Sequence, residues 1–542
     1  MNKSLITGLS ALSLAYSLFA DDLILVPNAQ GIILSGDSQQ LPLNVVGVIA
    51  VDIDLPGTRE NLEKRLLPLF MEKNLTAEDI GEIKREIVRY YRDHDRSIMA
   101  IQIPEQDVTD GVLTFVITEG KLGDVSVVGN HYFSKDLIKN YIKLKPGECI
   151  DDHVLVNNVA FINRNPFRHA DLVYSPGKEV GTTDIEVYVK DAFPLRAYVG
   201  VDNTGVLSTG RLRLFSGFNW GKAFGLDHIM SFQYTTSSDF YKFQGYTLSY
   251  TALLPWENTL LFYGGYSGTH VSFGTKNEQG NRHKTHGNSL QVSFRYGIPM
   301  KPKFYLLHEI NVGYDFKRTN NTFEMSEQDP IIGSNVNLTQ FVLEYNFGYE
   351  RGIQKIGFDG ELFISPFSWI PNQSSMDFHS LNPHAKPQYA YLLAACDYAI
   401  TMPMKFMWKL FFEAQVATGS LLPSEQFGLG GYNTVRGYNE RQVNSDEGLL
   451  VTTEFWSPSF SPSLGLLNDA LQFLVFLDYG LGHDIDKIHK VPQTQWLMGI
   501  GPGLRYAIGS TFSSRLDFGF KINRDHYEGG IGMLHFSLVG SY

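Results

Sequence analysis

The sequence predicts a mainly β protein in which a sixteen-stranded antiparallel transmembrane β-barrel follows two small α+β domains. Two observations predict this fold class. Strand-length segments of alternating apolar and polar residues fill the chain from Leu195 to Tyr542, and one order of strands and helices occurs twice before them. Within 341–349 the odd positions are large and apolar, whereas Glu344 and Asn346 lie between them. A barrel in lipid needs this alternation, because an open sheet edge would leave backbone groups unpaired in hydrocarbon.

The composition agrees with a membrane barrel. The 542 residues are 43% hydrophobic and include 28 Tyr, 37 Phe and 51 Gly, which suits interfacial aromatic girdles and curved strands. The formal charge of −12 argues against nucleic acid as a partner. Cys149 and Cys396 lie in separate predicted domains, so we expect no disulfide between them.

The N-terminus predicts export. Residues 1–20 combine a lysine with an apolar stretch that is too short and too interrupted to span a bilayer, as in a secretory signal peptide cleaved after Ala20. We therefore expect the Gram-negative outer membrane as the destination. Residues 21–44 are rich in turn formers, including Gly31 and Pro42, and predict a short, poorly structured lead-in.

The first α+β domain is predicted at residues 45–120. Its second helix has Ile80, Ile83 and Ile87 at helical spacing, and Thr76 is placed to start a capping box. The predicted elements are a strand at 46–51, helices at 59–70 and 77–92, and strands at 97–103 and 111–118.

The second α+β domain is predicted at residues 121–192. It repeats the same order with a strand at 122–128, helices at 134–142 and 151–164, and strands at 170–174 and 183–189. A unit of about 75 residues that occurs twice indicates an internal repeat. Two unrelated α+β domains are the alternative.

Only strand patterns appear in the barrel region, 193–542. Short linkers such as 255–257 alternate with long polar ones such as 320–337, as expected for short periplasmic turns and long external loops. The sixteen predicted strands are 195–203, 209–219, 226–237, 242–254, 258–271, 287–299, 302–317, 339–351, 355–365, 388–402, 404–418, 446–458, 468–480, 494–509, 511–523 and 532–542.

Four sequence blocks near the start of the barrel point to one family. They are Asn163-Arg164-Asn165-Pro166-Phe167-Arg168, Tyr174-Ser175-Pro176-Gly177, Gly181-Thr182-Thr183-Asp184 and Tyr198-Val199-Gly200-Val201-Asp202-Asn203-Thr204-Gly205. With them the chain resembles the haemolysin secretion/activation transporters of two-partner secretion, within the outer-membrane assembly superfamily. The resemblance implies two periplasmic POTRA domains before a sixteen-stranded barrel, which exports one large exoprotein, such as a haemolysin or adhesin, without ATP.

Two further motifs match this family: Val435-Arg436-Gly437-Tyr438, in the long segment between the eleventh and twelfth strands, and Phe476-Leu477-Asp478-Tyr479-Gly480, at the end of the thirteenth. The resemblance implies that the loop at 419–446 folds back into the barrel, where Arg436 pairs with Asp478. A carboxylate is a suitable partner for a confined guanidinium, since a bidentate contact fixes both charge and orientation. Alone, the first motif would be compatible with an ordinary surface turn. The expected lock consists of Val435, Arg436, Gly437, Tyr438, Phe476, Asp478 and Gly480.

The chain departs from the family at its N-terminus. Family members commonly carry a longer extension with a helix that plugs the pore. Residues 21–44 are few and are not convincingly helical. We therefore expect no full plug helix, and a larger resting conductance than that of a plugged relative.

Two strands are predicted to take part in recognition. The edge strand carrying Ile98, Ala100 and Gln102 is a candidate client-binding site, beside the apolar side of helix 80–91, through addition of a client strand. Its isoleucines could instead simply pack the domain core. In the last strand, Phe536, Leu538 and Tyr542 resemble a C-terminal insertion signal, although a plain closing strand would need the same residues. 

No catalytic motif, metal site or cofactor site is predicted. The acidic and histidine residues at 93–95 and 483–486 are better explained as solvated turns than as ligand sets. The expected partners are a secreted exoprotein client, outer-membrane lipid, and the barrel assembly machinery and periplasmic chaperones for insertion of a monomer. An assembly factor that inserts other barrels, a passive porin and, more remotely, a barrel-anchored enzyme are the alternative functions.

Overall fold

The computed structural model describes residues 23–36, 42, 44–273, 283–300, 306–320, 335–460, 469–486, 492–523 and 530–542. The predicted signal peptide at residues 1–20 lies outside them. The chain forms two compact units, of which one comprises Met1–Arg164 and Arg168–Ala192 and the other Asn165–Phe167 and Phe193–Tyr542.

The first part of the N-terminal unit is an α/β domain with a four-stranded sheet in the order β3-β2-β6-β5. Strand β2 is parallel to both of its neighbours, β5 is antiparallel to β6, and β1 pairs with β4. The elements are β1 (Val26–Ala29), β2 (Gly31–Ser35), β3 (Gly47–Val51), α1 (Arg59–Phe70), β4 (Lys73–Leu75), α2 (Ala77–Asp93), β5 (Met99–Gln102) and β6 (Val112–Glu119).

The prediction that residues 21–44 form a poorly structured lead-in is wrong for the segment that contains β1 and β2. Every residue of β2 is buried, and Ile32 and Leu34 belong to the domain core. A continuous apolar run is typical of a strand covered on both faces, and it lacks the alternation of a half-exposed strand. The first domain therefore begins before residue 45. No helix occurs in the described part of the predicted lead-in, 23–36, 42 and 44, and its residues 21–22, 37–41 and 43 lie outside the described ranges.

Helix α2 forms as predicted. Thr76 and Asp79 make a capping box, in which Thr76 accepts from the Asp79 N–H and Asp79 accepts from the Thr76 N–H. Ile83 and Ile87 are fully buried against the sheet. Complete burial of such a side chain contributes about 1.5–3 kcal/mol, so the apolar stripe of α2 supplies much of the stability of this domain.

The second part of the N-terminal unit has a three-stranded sheet in the order β7-β9-β8. Strands β7 and β9 are parallel and β8 is antiparallel to β9, which matches the arrangement β2-β6-β5. The counterpart of β7 in the first domain is thus β2, with β3 added outside it. The elements are β7 (Lys121–Val128), α3 (Lys135–Tyr141), α4 (Asp152–Ile162), β8 (Arg168–Pro176) and β9 (Thr182–Asp191).

The second unit is a closed antiparallel barrel of sixteen strands, which confirms the predicted fold class. It closes where β10 pairs with β27. The strands are β10 (Leu195–Asp202), β11 (Arg213–Trp220), β12 (His228–Ser237), β13 (Phe243–Leu253), β14 (Thr259–Phe273), β15 (His283–Pro299), β16 (Leu306–Thr319), β17 (Val336–Arg351), β18 (Gln354–Ser365), β19 (Tyr389–Thr401), β20 (Met407–Ala417), β23 (Glu447–Trp456), β24 (Asp469–His483), β25 (Thr494–Ile508), β26 (Phe512–Lys521) and β27 (Gly532–Ser541).

Where they are described, the segments between barrel strands contain little regular structure. A hairpin of β21 (Phe427–Leu429) and β22 (Val443–Ser445) lies between β20 and β23 in sequence, and α5 (Ser375–His379) lies between β18 and β19. Single 3-10 turns occupy Ala223–Gly225 and Pro403–Lys405. Among the described residues, no helix has both the length and the apolar character needed to cross a membrane.

The two faces of the barrel wall differ as the sequence predicts. On β17, Phe341 and Leu343 are 43% and 48% exposed, whereas Gln340 and Val342 are 0% and 2% exposed. The exposed residues form the outer, lipid-facing surface, because a barrel in a bilayer presents its apolar face outward. The buried face therefore lines the lumen.

Candidate functional site

The lumen loop, residues 419–446, packs against the inner face of the barrel wall. It contains the β21–β22 hairpin, and the side chains of Val435 and Tyr438 near its tip are fully buried. On β24 the outward Phe473 and Val475 are 48% and 58% exposed, whereas Asp478 is fully buried under the loop. The loop thus lies inside the barrel, where the resemblance placed it.

Arg436 and Asp478 form a bidentate ion pair. Nη2 of Arg436 lies 2.7 Å from Oδ1 of Asp478, and Nε and the backbone N–H of Arg436 donate to Oδ2 at 2.8 and 3.0 Å. The guanidinium also stacks 3.5 Å from the ring centroid of Phe476. Arg436 is only 2% exposed. Its positive charge is therefore balanced, and its orientation fixed, by side chains of the barrel wall.

Two more carboxylates and two more arginines complete the cluster. Nη1 of Arg436 lies 2.7 Å from Glu454 and 3.5 Å from Asp517. Asp517 also pairs with Arg505 at 2.6 Å and with Arg515 at 2.7 Å. Three arginines therefore face three carboxylates, and this balance matters because an unpaired buried charge is costly. We call these six residues the tip cluster.

Gly437 and Tyr438 fasten the rest of the tip. Gly437 has φ +101°, which disfavours any residue with a Cβ, and its N–H donates to Nε2 of His535 at 3.0 Å. The Tyr438 hydroxyl lies 3.1 Å from the Met498 carbonyl oxygen and 3.0 Å from that of Asn523. The tip is thus held by backbone contacts as well as by charge.

Glycines of the wall form the surface on which the tip rests. A Cβ at Gly499 would lie 2.0 Å from the Arg436 oxygen, and one at Gly519 would lie 2.3 Å from the Gly437 nitrogen. A Cβ at Gly480 would lie 2.8 Å from Val435. A glycine within a strand often marks such a close backbone approach.

The structure thus brings together all seven predicted lock residues. Sequence reasoning missed several further members of the site. Inward position on a late barrel strand was the available indication, but many residues share it, and only the folded loop selects among them. The missed residues are Glu454, Gly499, Arg505, Arg515, Asp517, Gly519 and His535.

The predicted client-binding residues lie elsewhere, along β5 in the first α/β domain. Ala100 and Gln102 are exposed, and β5 has a strand partner on one side only within the described residues. Ile98 precedes β5, is half-buried, and accepts from the Gly120 N–H at 2.8 Å. The backbone groups of Ile98 therefore face β6, and by the alternation of an antiparallel pair those of Ala100 and Gln102 do so too, which leaves the backbone of Met99 and Ile101 at the open edge.

The three residues of the predicted insertion signal lie at the barrel seam. Phe536 and Leu538 alternate with the fully buried His535 and so share the outer face of β27. Tyr542 follows the strand and exchanges two backbone hydrogen bonds with Ala197, of 2.9 and 3.1 Å. The C-terminus thereby contributes to closure of the barrel.

Comparison with protein families identifies the chain. Residues 181–506 match the family described as haemolysin secretion/activation protein ShlB/FhaC/HecB, and residues 121–192 match the POTRA family, described as surface antigen variable number repeat. The first match covers more than half of the chain. The protein therefore belongs to the haemolysin secretion/activation family of two-partner secretion transporters. It is an outer-membrane β-barrel with its POTRA region in the periplasm.

Individual relatives agree with this assignment. The chain is 24% identical to the heme/hemopexin transporter protein HuxB of Haemophilus influenzae (strain 86-028NP), over 83% of this chain and 78% of that one. It is 23% identical to the outer membrane transporter CdiB of Dickeya dadantii, over 73% and 69% of the two chains. The fold is similar to that of CdiB from Escherichia coli, with a TM-score of 0.78, 17% identity, and 95% and 90% of the chains covered.

Proposed function

We propose that this protein carries one large exoprotein, of the haemolysin or adhesin type, through its barrel to the cell surface without ATP. Family membership supports the existence of an exported partner. Nucleotide energy is not available in the periplasm, so transport must draw on another source, such as folding of the client outside the cell.

The observation that carries this proposal is the way in which the lumen loop is held. The tip is fastened by the tip cluster and by hydrogen bonds to single wall residues, whereas β21 and β22, among the strands that the structure describes, pair only with each other. The tip can therefore leave the wall by exchanging ionic contacts, without unpairing any barrel strand. Such a loop suits a pore that must clear its lumen for a polypeptide and then close it.

Client recognition is assigned to the open edge of β5. Its unpaired backbone can add a strand from an unfolded client, which requires no particular client sequence. The backbone groups at this edge are those of Met99 and Ile101, and the neighbouring Ala100 and Gln102 are exposed. Both α/β domains act as POTRA domains in this proposal, and the client reaches the barrel from them.

Assembly of the transporter itself follows the route of other outer-membrane barrels. Periplasmic chaperones deliver the unfolded chain, and the barrel assembly machinery recognises Phe536, Leu538 and Tyr542 on its last strand. The outward apolar face then enters outer-membrane lipid. We propose that the inserted protein works as a monomer, since one closed barrel with its own lumen loop forms a complete pore.

Replacement of Arg436 tests the transport function. Arg436→Ala should leave the barrel inserted but abolish or strongly impair export, because removal of one partner from a buried ion pair costs about 3–5 kcal/mol. The measurement is the amount of client in the medium when transporter and client are produced together. Heat-modifiable migration of the barrel in gel electrophoresis reports insertion.

Two further variants control this experiment. Arg436→Lys retains the charge but not the planar fork, so it should also export poorly. Lys355→Ala removes a cation from an exposed pair with Glu350 at 2.7 Å and should export normally. Normal export by the Arg436→Ala variant would refute the assigned role of the tip.

A further inference from the structure

A second buried carboxylate holds the lumen loop, at the end where the loop leaves β20. Glu425 is 3% exposed. Both of its carboxylate oxygens lie 2.9 Å from Nζ of Lys317 on β16. The Tyr391 hydroxyl donates to Oε2 at 2.8 Å, and the Gln340 amide donates to the same oxygen at 3.3 Å. Three different wall strands thus converge on one side chain of the loop.

The wall around Glu425 is organised to receive it. The Tyr389 hydroxyl donates to Oε1 of Gln340 at 2.9 Å, which turns the Gln340 amide nitrogen toward the carboxylates. That nitrogen also donates to Asp315 at 3.1 Å, and Asp315 pairs with Arg295 at 2.7 Å. The receiving groups are therefore fixed by hydrogen bonds among themselves, as a preorganised site requires.

The same region holds the two ends of the lumen loop together. We call these ends, residues 419–425 and Asp446, the neck of the loop. Gln415 on β20 donates to the Glu425 carbonyl at 3.1 Å and to the Asp446 carbonyl at 3.0 Å, so one side chain holds both ends of the loop. The Leu421 N–H donates to the Asp446 carboxylate at 2.9 Å. Leu421 and Leu422 are buried in an apolar cluster with residues of β17, β18 and β19. The neck is therefore anchored independently of the tip.

The two anchors lie on different sides of the loop's own strands. Around the barrel, β16, β17 and β19 precede β20, and they supply the contacts of Glu425. Strands β23, β24 and β26 lie on the other side, and they supply the carboxylates that hold Arg436. Loss of the tip contacts alone would leave the neck attached to the wall.

We infer that Glu425 is a positioning residue for transport, which forms with Lys317 a second ionic anchor that keeps the neck of the lumen loop on the wall while the tip is released. The moving part of the loop is then the segment that follows Glu425. The neck remains in place, so the tip returns to the same position on the barrel wall after each passage of a client. Without the neck anchor, the whole loop would leave its place more often.

Pore openings of the full-length protein in planar lipid bilayers, with no client present, test this inference. Glu425→Gln retains an acceptor for Tyr391 but loses the ion pair, and Lys317→Met retains the apolar stem. Each should raise the frequency of openings about tenfold, because a hydrogen bond to a charged group typically contributes at least one factor of ten to an equilibrium. The double variant should open no more often than the more affected single variant, since both changes break one pair.

Lys355→Met is the matched control, because its pair with Glu350 is more than 60% exposed on both sides. It should open at the wild-type frequency. Wild-type openings in both single variants would overturn the inference, and so would additive effects in the double variant. Failure of both single variants to insert would also overturn it, because the pair would then be required for folding. The experiment uses no client, so it can fail separately from the export test on Arg436.

Discussion

At the scale of single residues, the contact between the lumen loop and the barrel wall depends on glycines as well as on charged side chains. Gly519 approaches the tip so closely that a Cβ there would lie 2.3 Å from the Gly437 nitrogen and 2.4 Å from the Arg436 carbonyl carbon. Both of these atoms belong to the backbone and cannot rotate away. Position 519 in the wall surface under the tip, which we call the seat, therefore tolerates no larger residue unless the tip moves.

Gly519→Ala should displace the tip and reduce export, although Asp517 and Arg436 remain intact. Overpacking of this kind typically costs about 1–3 kcal/mol. The measurements are client release and the heat resistance of the folded barrel. Gly348→Ala on β17 is the control, because a Cβ at Gly348 meets no atom within 4 Å. Equal export by the two variants would argue against a tight seat.

At the scale of secondary-structure elements, the proposed client-binding site depends on the open edge of β5. It pairs with β6 over four residues, Met99 to Gln102, and its other side has no strand partner in the described part of the chain. Edges of this kind are normally protected against pairing with other chains. An exposed edge on a periplasmic domain therefore favours a role in binding.

Met99→Pro should weaken client binding by the full-length transporter more than it lowers the stability of the domain, because the Met99 N–H faces the open edge whereas that of Ala100 faces β6. Proline lacks the backbone N–H and disturbs strand addition. The measurements are client affinity in detergent and the thermal unfolding of the same sample. Met99→Thr, which retains the N–H and suits a strand, should bind normally. Unchanged affinity of the proline variant would exclude this edge as the binding site.

At the scale of the whole molecule, the N-terminal unit distinguishes a secretion pore from a passive porin. A porin has no need of the two α/β domains that precede β10. Within this part of the chain, Asn165–Phe167 belongs to the barrel unit. Asn165 is fully buried and donates to the Gly221 carbonyl at 2.6 Å.

Deletion of residues 23–190, which removes both α/β domains including β1 and β2, should leave a barrel that inserts and conducts ions but no longer exports the client. The measurements are bilayer conductance and client release from the same strain. Asn165→Ala in the full-length chain is the control, because the deletion also removes this contact with the barrel. Export by the deletion variant at the full-length level would contradict a role of the N-terminal unit in transport.

Much of the fold could be predicted from sequence because local patterns carry it. Alternation along β17 and the apolar spacing of α2 reflect burial of one face, and each is visible within a few residues. The pattern failed at β2, where burial on both faces replaces alternation with a short apolar run between glycines. The sequence did not reveal this run as a strand, because its partner strands β3 and β6 lie far from each other along the chain and no local pattern shows that they meet on either side of it.

The sequence alone determined that an outer-membrane barrel of sixteen strands follows α/β domains, and motif resemblance indicated the pairing of Arg436 with Asp478. Only the tertiary structure decided which other groups meet the lumen loop. Glu454, Asp517 and His535 reach its tip, and Lys317 reaches its neck, from strands that are distant in sequence. The physical reason is that strand patterns specify which face a side chain occupies. The path of the folded loop specifies which of those inward side chains it touches.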